Sequence, residues 1–439
     1  MRRSLFLLLS SLVVVISCGE PTREGDPGPE LGESTAPLSA VFSGTVLSST
    51  GTPVVGARVT INGAVRTTSS TGTYTLSVAD SPSGYRIDVR HPQFGIINEF
   101  RTAGALGQVY RMNRTSLSTA VFNPAGGPQT QFVTDPSTGI RVYLPFFGGL
   151  RTMSGATAQS PIRVFITPLD ATNMPGDFTA RSLTGERVRL ETLGAVTVMA
   201  MDSANQPLFV APGLSFHLEI PIPSSLGDRT LPCARTPPST CPITAWKFNR
   251  TTGEWIERQA QVGLSGNTTV ISVTVPLGDT PDPMEGIGTW NADVEIRGPA
   301  ACTIIEYSSD TPPSCFPIQT KFSQVTSLGT TQSATKAIGA TDPFVILYNL
   351  RPNADVDLSF SLKTGSCADN LEITSVPAPA TGYPQYTATG GTTRVTSGAG
   401  ALVPGYPLDP DGNPVDLLDI VNGDHPCGAV VTVRSPPTP

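Results

Sequence analysis

Apolar and polar residues alternate along this chain in short runs, and Gly, Pro, Asn or Asp interrupts the runs every few positions. A period of two puts successive side chains on opposite faces, which is the pattern of a half-buried strand. From Val41 to Met112 it predicts strands over Val41–Leu47, Ala57–Ile61, Ala64–Thr68, Thr73–Val78, Tyr85–Arg90, Ile96–Arg101 and Gln108–Met112. The breaks carry Gly51, Pro53, Asn62-Gly63, Gly72, Pro82 and Gly84. Asn62-Gly63 is a type I′ hairpin signal, because both central residues of that turn take positive φ. Seven strands in about 75 residues, with no 3.6-residue window, predict a small antiparallel sandwich.

Residues 114–298 read as a larger β-sandwich. Its runs are Ile162–Thr167, Val188–Glu191, Ala195–Met201, Phe216–Ile220, Thr244–Phe248, Trp255–Gln259 and Val270–Val275. Turns begin at Asp135, Asp202 and Asn249, whose side chains can bond the backbone two residues on. Residues 299–434 form a third, irregular, Cys-containing β unit with strands expected at Phe344–Leu347, Val356–Leu362 and Ala429–Val433. Residues 435–439 are a disordered tail. The fold class expected is all-β: tandem antiparallel β-sandwiches over 39–113, 114–298 and 299–434.

Composition supports punctuation rather than disorder. There are 43 Gly and 42 Pro in 439 residues, with 38% apolar and 14% charged residues. Gly and Pro stay below the roughly 25–30% that marks a disordered chain. The 24 Arg and 4 Lys are scattered, and the net charge is −7. Nucleic acid, which needs a dense basic patch, is therefore not an expected partner.

The N-terminus changes the picture. Arg2 and Arg3 precede an apolar run from Leu5 to Ile16, too short for a permanent span, which needs roughly 17–25 residues. It reads as a signal-peptide core. Val15-Ile16-Ser17-Cys18 resembles a bacterial lipobox. The resemblance implies cleavage after residue 17, lipidation of Cys18 and attachment to the cell envelope, with the outer membrane the expected site; an ordinary signal peptide that contains a Cys is the alternative. Loss of Arg2 and Arg3 takes the net charge from −7 to −9. Gly19–Leu38 carries four Glu and one Asp against one Arg among Pro and Gly, so it cannot bury enough apolar area to offset its ordering entropy. Residues 18–38 are thus an acidic tether that reaches roughly 60 Å.

Six further cysteines, Cys233, Cys241, Cys302, Cys315, Cys367 and Cys427, read as disulfide partners in an exported protein. The pairings expected are Cys233–Cys241, Cys302–Cys315 and Cys367–Cys427. No C-x₂-C knuckle occurs, and His91, His217 and His425 are far apart in sequence, so neither a zinc site nor any cofactor is expected. Asp409, Asp411, Asn413 and Asp416 cluster oxygen ligands that suit calcium or simply a turn. The sixth and twelfth positions counted from Asp409 are Pro414 and Ile420, where an EF-hand needs Gly and Glu. Trp246 and Trp255, on a hairpin with Phe248, offer either a sugar-stacking platform or core. Tyr383 and Tyr406, in Gly/Pro-rich loops, are further platforms. Gly-x-Ser-x-Gly, His-Glu-x-x-His and a Walker loop do not occur.

Two stretches resemble known modules. Ser43-Gly44-Thr45-Val46, Gly51 to Thr60, Thr71 to Leu76 and Gly84 to Val89 resemble the carboxypeptidase regulatory-like domain. That resemblance implies a transthyretin-like Greek-key sandwich, often grouped with carbohydrate-binding-like folds, and an accessory rather than catalytic role. Ile166-Thr167-Pro168, Leu190 to Ala195, Pro212-Gly213, Ile220 to Pro223, Trp246 to Trp255 and Trp290 to Asp293 are similar to extracellular modules of astroprincin and cartilage intermediate layer proteins. Related sandwiches that cleave themselves do so at His-Phe-Ser. Gly286 to Thr289 lacks both His and Ser, so self-cleavage has no nucleophile or base.

The function expected is a non-enzymatic, membrane-anchored envelope lipoprotein that binds a ligand, with glycan suggested by the carbohydrate-binding-like resemblance. A structural or adhesive surface protein that contacts other proteins is the alternative. A hydrolase is the third class, which two carboxylates converging in a cleft would indicate.

Overall fold

Period-two alternation becomes strand through most of the protein. The computed structural model describes residues 39–434 apart from 121–130, 146, 170–173, 223–242, 266–267, 276–285, 308–310, 312–314, 317, 326–330, 340, 343, 362–371, 377–385, 388–391, 399 and 401. These residues carry thirty strands and one α-helix, arranged in six sheets that stack in three pairs.

The first pair contains β1 (Ser39–Ser48), β2 (Arg58–Ile61), β3 (Ala64–Thr67), β4 (Thr73–Ala79), β5 (Tyr85–His91), β6 (Phe94–Arg101) and β7 (Gln108–Met112). The sheet β4-β1-β7 packs on β3-β2-β5-β6, with Phe42, Val46, Val59, Ile61, Tyr85 and Ile87 between them. Asn62 and Gly63 both take positive φ at the β2–β3 hairpin. The Asn62 side chain accepts from Arg86 N and donates to Gly84 O, which fastens that turn to β5. β1 and β7 pair in parallel, a departure from the antiparallel sandwich expected here. The chain returns to the first sheet by crossing from the opposite one, which is what a parallel pair requires. A Cβ on Gly44 would lie 2.4 Å from Gln108 O, so this pairing tolerates only Gly at that position.

The second pair runs from β8 (Ser116–Ala120), β9 (Gln131–Thr134), β10 (Arg141–Leu144), β11 (Leu150–Thr152), β12 (Ile162–Leu169) and β13 (Thr179–Arg181) to β14 (Arg187–Met201) and β15 (Pro207–Val210). It continues through β16 (Ser215–Pro221), β17 (Ile243–Asn249), β18 (Glu254–Arg258), β19 (Ala260–Ser265), β20 (Thr268–Thr274) and β21 (Gly288–Ile296). A five-stranded sheet, β19-β20-β16-β10-β9, covers a nine-stranded sheet built around β14. The runs Val188–Glu191 and Ala195–Met201, expected as two strands, are one strand with a bulge between Thr192 and Ala195. Gly194, at φ 137°, supplies a backbone angle that L side chains resist.

The third pair holds β22 (Ala301–Tyr307), β23 (Ile318–Val325), β24 (Thr331–Ile338), β25 (Phe344–Leu350), β26 (Asp355–Ser361) and β27 (Glu372–Val376). β28 (Tyr386–Thr387), β29 (Thr392–Thr396), α1 (Leu417–Asn422) and β30 (Ala429–Arg434) complete it. β25-β22-β30-β27-β28 faces β24-β23-β26-β29 across Ile305, Leu347, Val356, Leu358, Val431 and Val433. Its first and last strands, β22 and β30, again pair in parallel. Ser39–Pro439 is a single unit. Among the described residues no helix is long and apolar enough to cross a membrane.

Candidate functional site

Several sequence-predicted residues serve the fold. Trp246 and Trp255 are fully buried in a core with Leu190, Ala195 and Phe248, so the sugar platform expected of them is corrected to core. Alternation on the β17–β18 hairpin turns both indoles inward, and Trp255 Nε1 donates to Pro175 O at 3.0 Å. Tyr406 is half-buried, its ring 4.6 Å from Phe100 and 5.1 Å from Tyr348. Burial pushes its phenol above the usual range.

Cys302 is bonded to Cys427, which corrects both the Cys302–Cys315 and the Cys367–Cys427 expectations. Sequence proximity favoured a local clip, whereas the parallel pairing of β22 with β30 brings the distant cysteine beside β22. Cys315 is also disulfide-bonded. Cys18, Cys233, Cys241, Cys367 and Tyr383 lie outside the described residues. Asp409 and Asn413 close a turn in which Asn413 N donates to Asp409 Oδ1 at 2.8 Å. Asp416 caps α1 by accepting from Leu418 N and Asp419 N. Among the described residues no three His, Cys, Asp or Glu side chains gather as a metal site.

The segments Leu190–Ala195 and Trp290–Asp293, singled out by sequence, meet across β14 and β21. Thr192 Oγ1 donates to Asn291 Oδ1 at 3.2 Å, Leu193 N to Asp293 Oδ1 at 3.0 Å, and Asn291 Nδ2 to Asp293 Oδ2. Asn291 and Asp293 are both fully buried. Burial, reinforced by the nearby Glu191 charge, raises Asp293 to about 8. This polar knot holds the bulge.

Beside that strand lies an open cleft of about 1130 Å³ between the two sheets. Arg151, His217, Lys247, Glu257 and Arg258 line it with Phe209, Trp290 and the exposed Met153. His217 Nδ1 meets Ser272 Oγ at 2.7 Å, and Glu257 accepts from Leu183 N at 2.8 Å. Glu257 is the single carboxylate among its described lining residues. Glycoside hydrolysis usually calls for two carboxylates flanking the bond. The excess of cations suits binding of an anion-bearing group instead.

The densest polar chemistry joins the sandwiches. Arg101 Nη1 lies 2.6 Å from Asp342 Oδ2 and Arg101 Nε lies 2.7 Å from Glu99 Oε1, all three side chains being largely buried. Gln108 Nε2 and Gly339 N also donate to Asp342. Burial works against the Arg101 charge, and Glu99 with Asp342 more than offset it, holding the guanidinium above its usual range. Burial raises Asp342, against the pull of Arg101. Between the second and third sandwiches, Asp177 receives Tyr348 OH and lies 3.3 Å from Lys336 Nζ. Asn349 Nδ2 donates to Asp177 O at 2.6 Å and to Thr179 Oγ1 at 2.7 Å. Asp177 and Phe178 both have positive φ, a strained backbone that these contacts hold. Between the first and second, Asn98 Nδ2 donates to Arg250 O at 3.4 Å, and Arg250 lies 3.5 Å from Asp88. Phe100, Tyr406, Tyr348 and Lys336 touch one after another, the two tyrosine rings edge to face, where all three sandwiches meet. Of this seam the sequence singles out Tyr406 alone, as a platform, since the members are isolated residues from distant strands and loops.

No family model matches the chain, and no curated protein matches it. Among solved structures, the TIE protein of Bacillus anthracis is 8% identical over 80% of this chain and 48% of its own, with a TM-score of 0.15. The chain thus spans about half the length of that protein. The major pilin subunit BcpA of Bacillus cereus is 9% identical over 82% of this chain and 95% of its own, TM-score 0.15. A cross-linked bacterial adhesin from Mobiluncus mulieris is 8% identical over 73% and 98%, TM-score 0.17. Likenesses this remote assign no relative.

Proposed function

We propose that this chain is a non-enzymatic, lipid-anchored protein of the bacterial cell envelope with a structural or adhesive role. The observation that carries this reading is the seam of Arg101, Asp342, Asp177, Lys336 and the Phe100–Tyr406–Tyr348 rings. Tandem sandwiches that only needed to display separate binding modules could hang on flexible linkers, which are the default between domains. Here ion pairs and rings bury the joints instead, as a module that transmits load or holds a surface in one orientation requires. The lipobox-like Cys18 and the acidic tether after it supply the attachment.

The test compares bacteria that express the chain with bacteria that express Cys18→Ser, on surfaces coated with extracellular proteins. Membrane attachment and retention on at least one protein surface are expected for the wild type, and both are expected to fall with Cys18→Ser. Retention that ignores Cys18, or none on any surface, would overturn the reading. A second reading, binding of an anionic glycan, is favoured by the cationic cleft around Arg258 and Trp290. Acidic glycans that bind in an array and are lost with Arg258→Ala would establish it; an array without hits would remove it.

A further inference from the structure

The connection from β29 to β30 spans residues 397–428, and its stretch from 397 to 416, before α1, exceeds the ~12–15 residues at which connections without secondary structure of their own become uncommon and usually functional. It is built rather than loose. Leu402 bridges Ala300, Gly405 N donates to Asn349 Oδ1 at 2.8 Å, and Leu408 bridges Pro414. Val415, Ile420 and Cys427 sink into a small core with Ile304, Ile346 and Cys302, and the Cys302–Cys427 bond ties the far end down. A capping box at Asp416 and Asp419 starts α1, and Gly423 ends it in the left-handed conformation.

That rigid excursion shows water an unusual surface. Leu418 is 66% exposed and Val421 70%, and their three-residue spacing puts them side by side on α1 with Leu417 next to them. Leu408 and Val403 on the same excursion are exposed as well. Five carboxylates, Asp409, Asp411, Asp416, Asp419 and Asp424, surround Leu417, Leu418 and Val421 in sequence, and no Lys or Arg occurs between Val395 and Val433. Scattered single aliphatics on a surface need no explanation, but a concentration of them with one sign of charge marks an interaction site. Apolar contact supplies affinity there, and the charge selects the partner.

We propose that the α1 face of this excursion docks a basic, aliphatic segment of another protein, with Leu417, Leu418 and Val421 forming the contact and the aspartates its rim. This deepens the adhesive reading and rests on it. A second copy of the chain fits less well, because the face is acidic and would meet itself in any two-fold contact. A turn of Asp409 to Asn413 already satisfied by its own backbone gives a metal no special hold.

The experiment titrates the full mature chain with an amphipathic Leu/Lys peptide of about 18 residues and with its Leu/Glu counterpart. The Leu/Lys peptide is expected to bind and the Leu/Glu peptide not. Leu418→Asp with Val421→Asp should weaken binding by about tenfold or more, and 0.5 M salt should weaken it too. An unchanged melting temperature and an intact Cys302–Cys427 bond show that the variant is folded; if it is not, Asp411→Lys with Asp424→Lys replaces it, with the same weakening expected. Equal binding to wild type and variant would overturn the proposal, as would self-association lost in the variant. Variant cells that lose the peptide but keep their protein-surface retention sink this inference alone, whereas wild-type cells without retention sink the adhesive reading.

Discussion

Asp293 is a carboxylic acid kept where a carboxylate is costly. Its value of about 8 stands well above the roughly 3.9 of an unfolded chain. A group raised on folding contributes stability that is fully present below its unfolded value and is lost as pH rises through its folded one. The protein should therefore lose up to about 1.4 kcal/mol per pH unit between roughly pH 4 and 8 through this residue. Asp293→Asn should flatten that slope when thermal melts are compared at pH 5.5 and 8.5; an unchanged slope would place the dependence elsewhere. At Trp255, truncation acts on folding rather than on a ligand. Trp255→Ala removes a buried indole and leaves the Pro175 carbonyl without its donor, at a cost of about 3–5 kcal/mol. Chemical denaturation should show it, while Tyr143→Ala, at a partly exposed position on the other sheet, should change stability far less. Alternation marked Trp246 and Trp255 correctly as facing one side, but not which side was covered. That depends on the chain around Pro175 arriving from elsewhere.

At the scale of elements, the legible strands were those with aliphatic alternation and turn residues at both ends. All seven strands of the first sandwich follow from that pattern, the Asn62-Gly63 hairpin most clearly. β24, with the sequence TQSATKAI, was invisible because polar residues fill it and its partner β23 supplies the pairing. α1 was also missed, although Asp416 and Asp419 three apart, with Gly423 after them, spell a capped helix. The disulfide was misread for a related reason: sequence spacing says nothing about a parallel first-to-last strand pairing. Cys427→Ser, which opens a loop of 125 residues, should cost about 3–5 kcal/mol. It should also expose the 397–428 excursion to limited proteolysis while leaving Ser39–Met112 intact. Cleavage spread evenly over the chain would argue against an excursion fastened by this bond.

For the whole molecule, rigidity rests on the joints between sandwiches. Sequence patterning yields three sandwiches but no relation between them, because Arg101, Asp177, Lys336 and Asp342 are ordinary surface residues until the strands and loops that carry them are placed. Removing one partner of a buried ion pair strands the other charge, at about 3–5 kcal/mol. Asp342→Ala leaves Arg101 with Glu99 and Gln108, both on its own sandwich. It should free the first sandwich from the third without unfolding either, since Asp342 lies outside all the strands. Spin labels at Arg66→Cys on β3 and Lys321→Cys on β23 report the separation of those two sandwiches directly by pulsed dipolar spectroscopy. A locked body gives one narrow distance distribution in the otherwise unmodified chain and a broad one once Asp342→Ala is added. A broad distribution before any change at the seam would contradict the account.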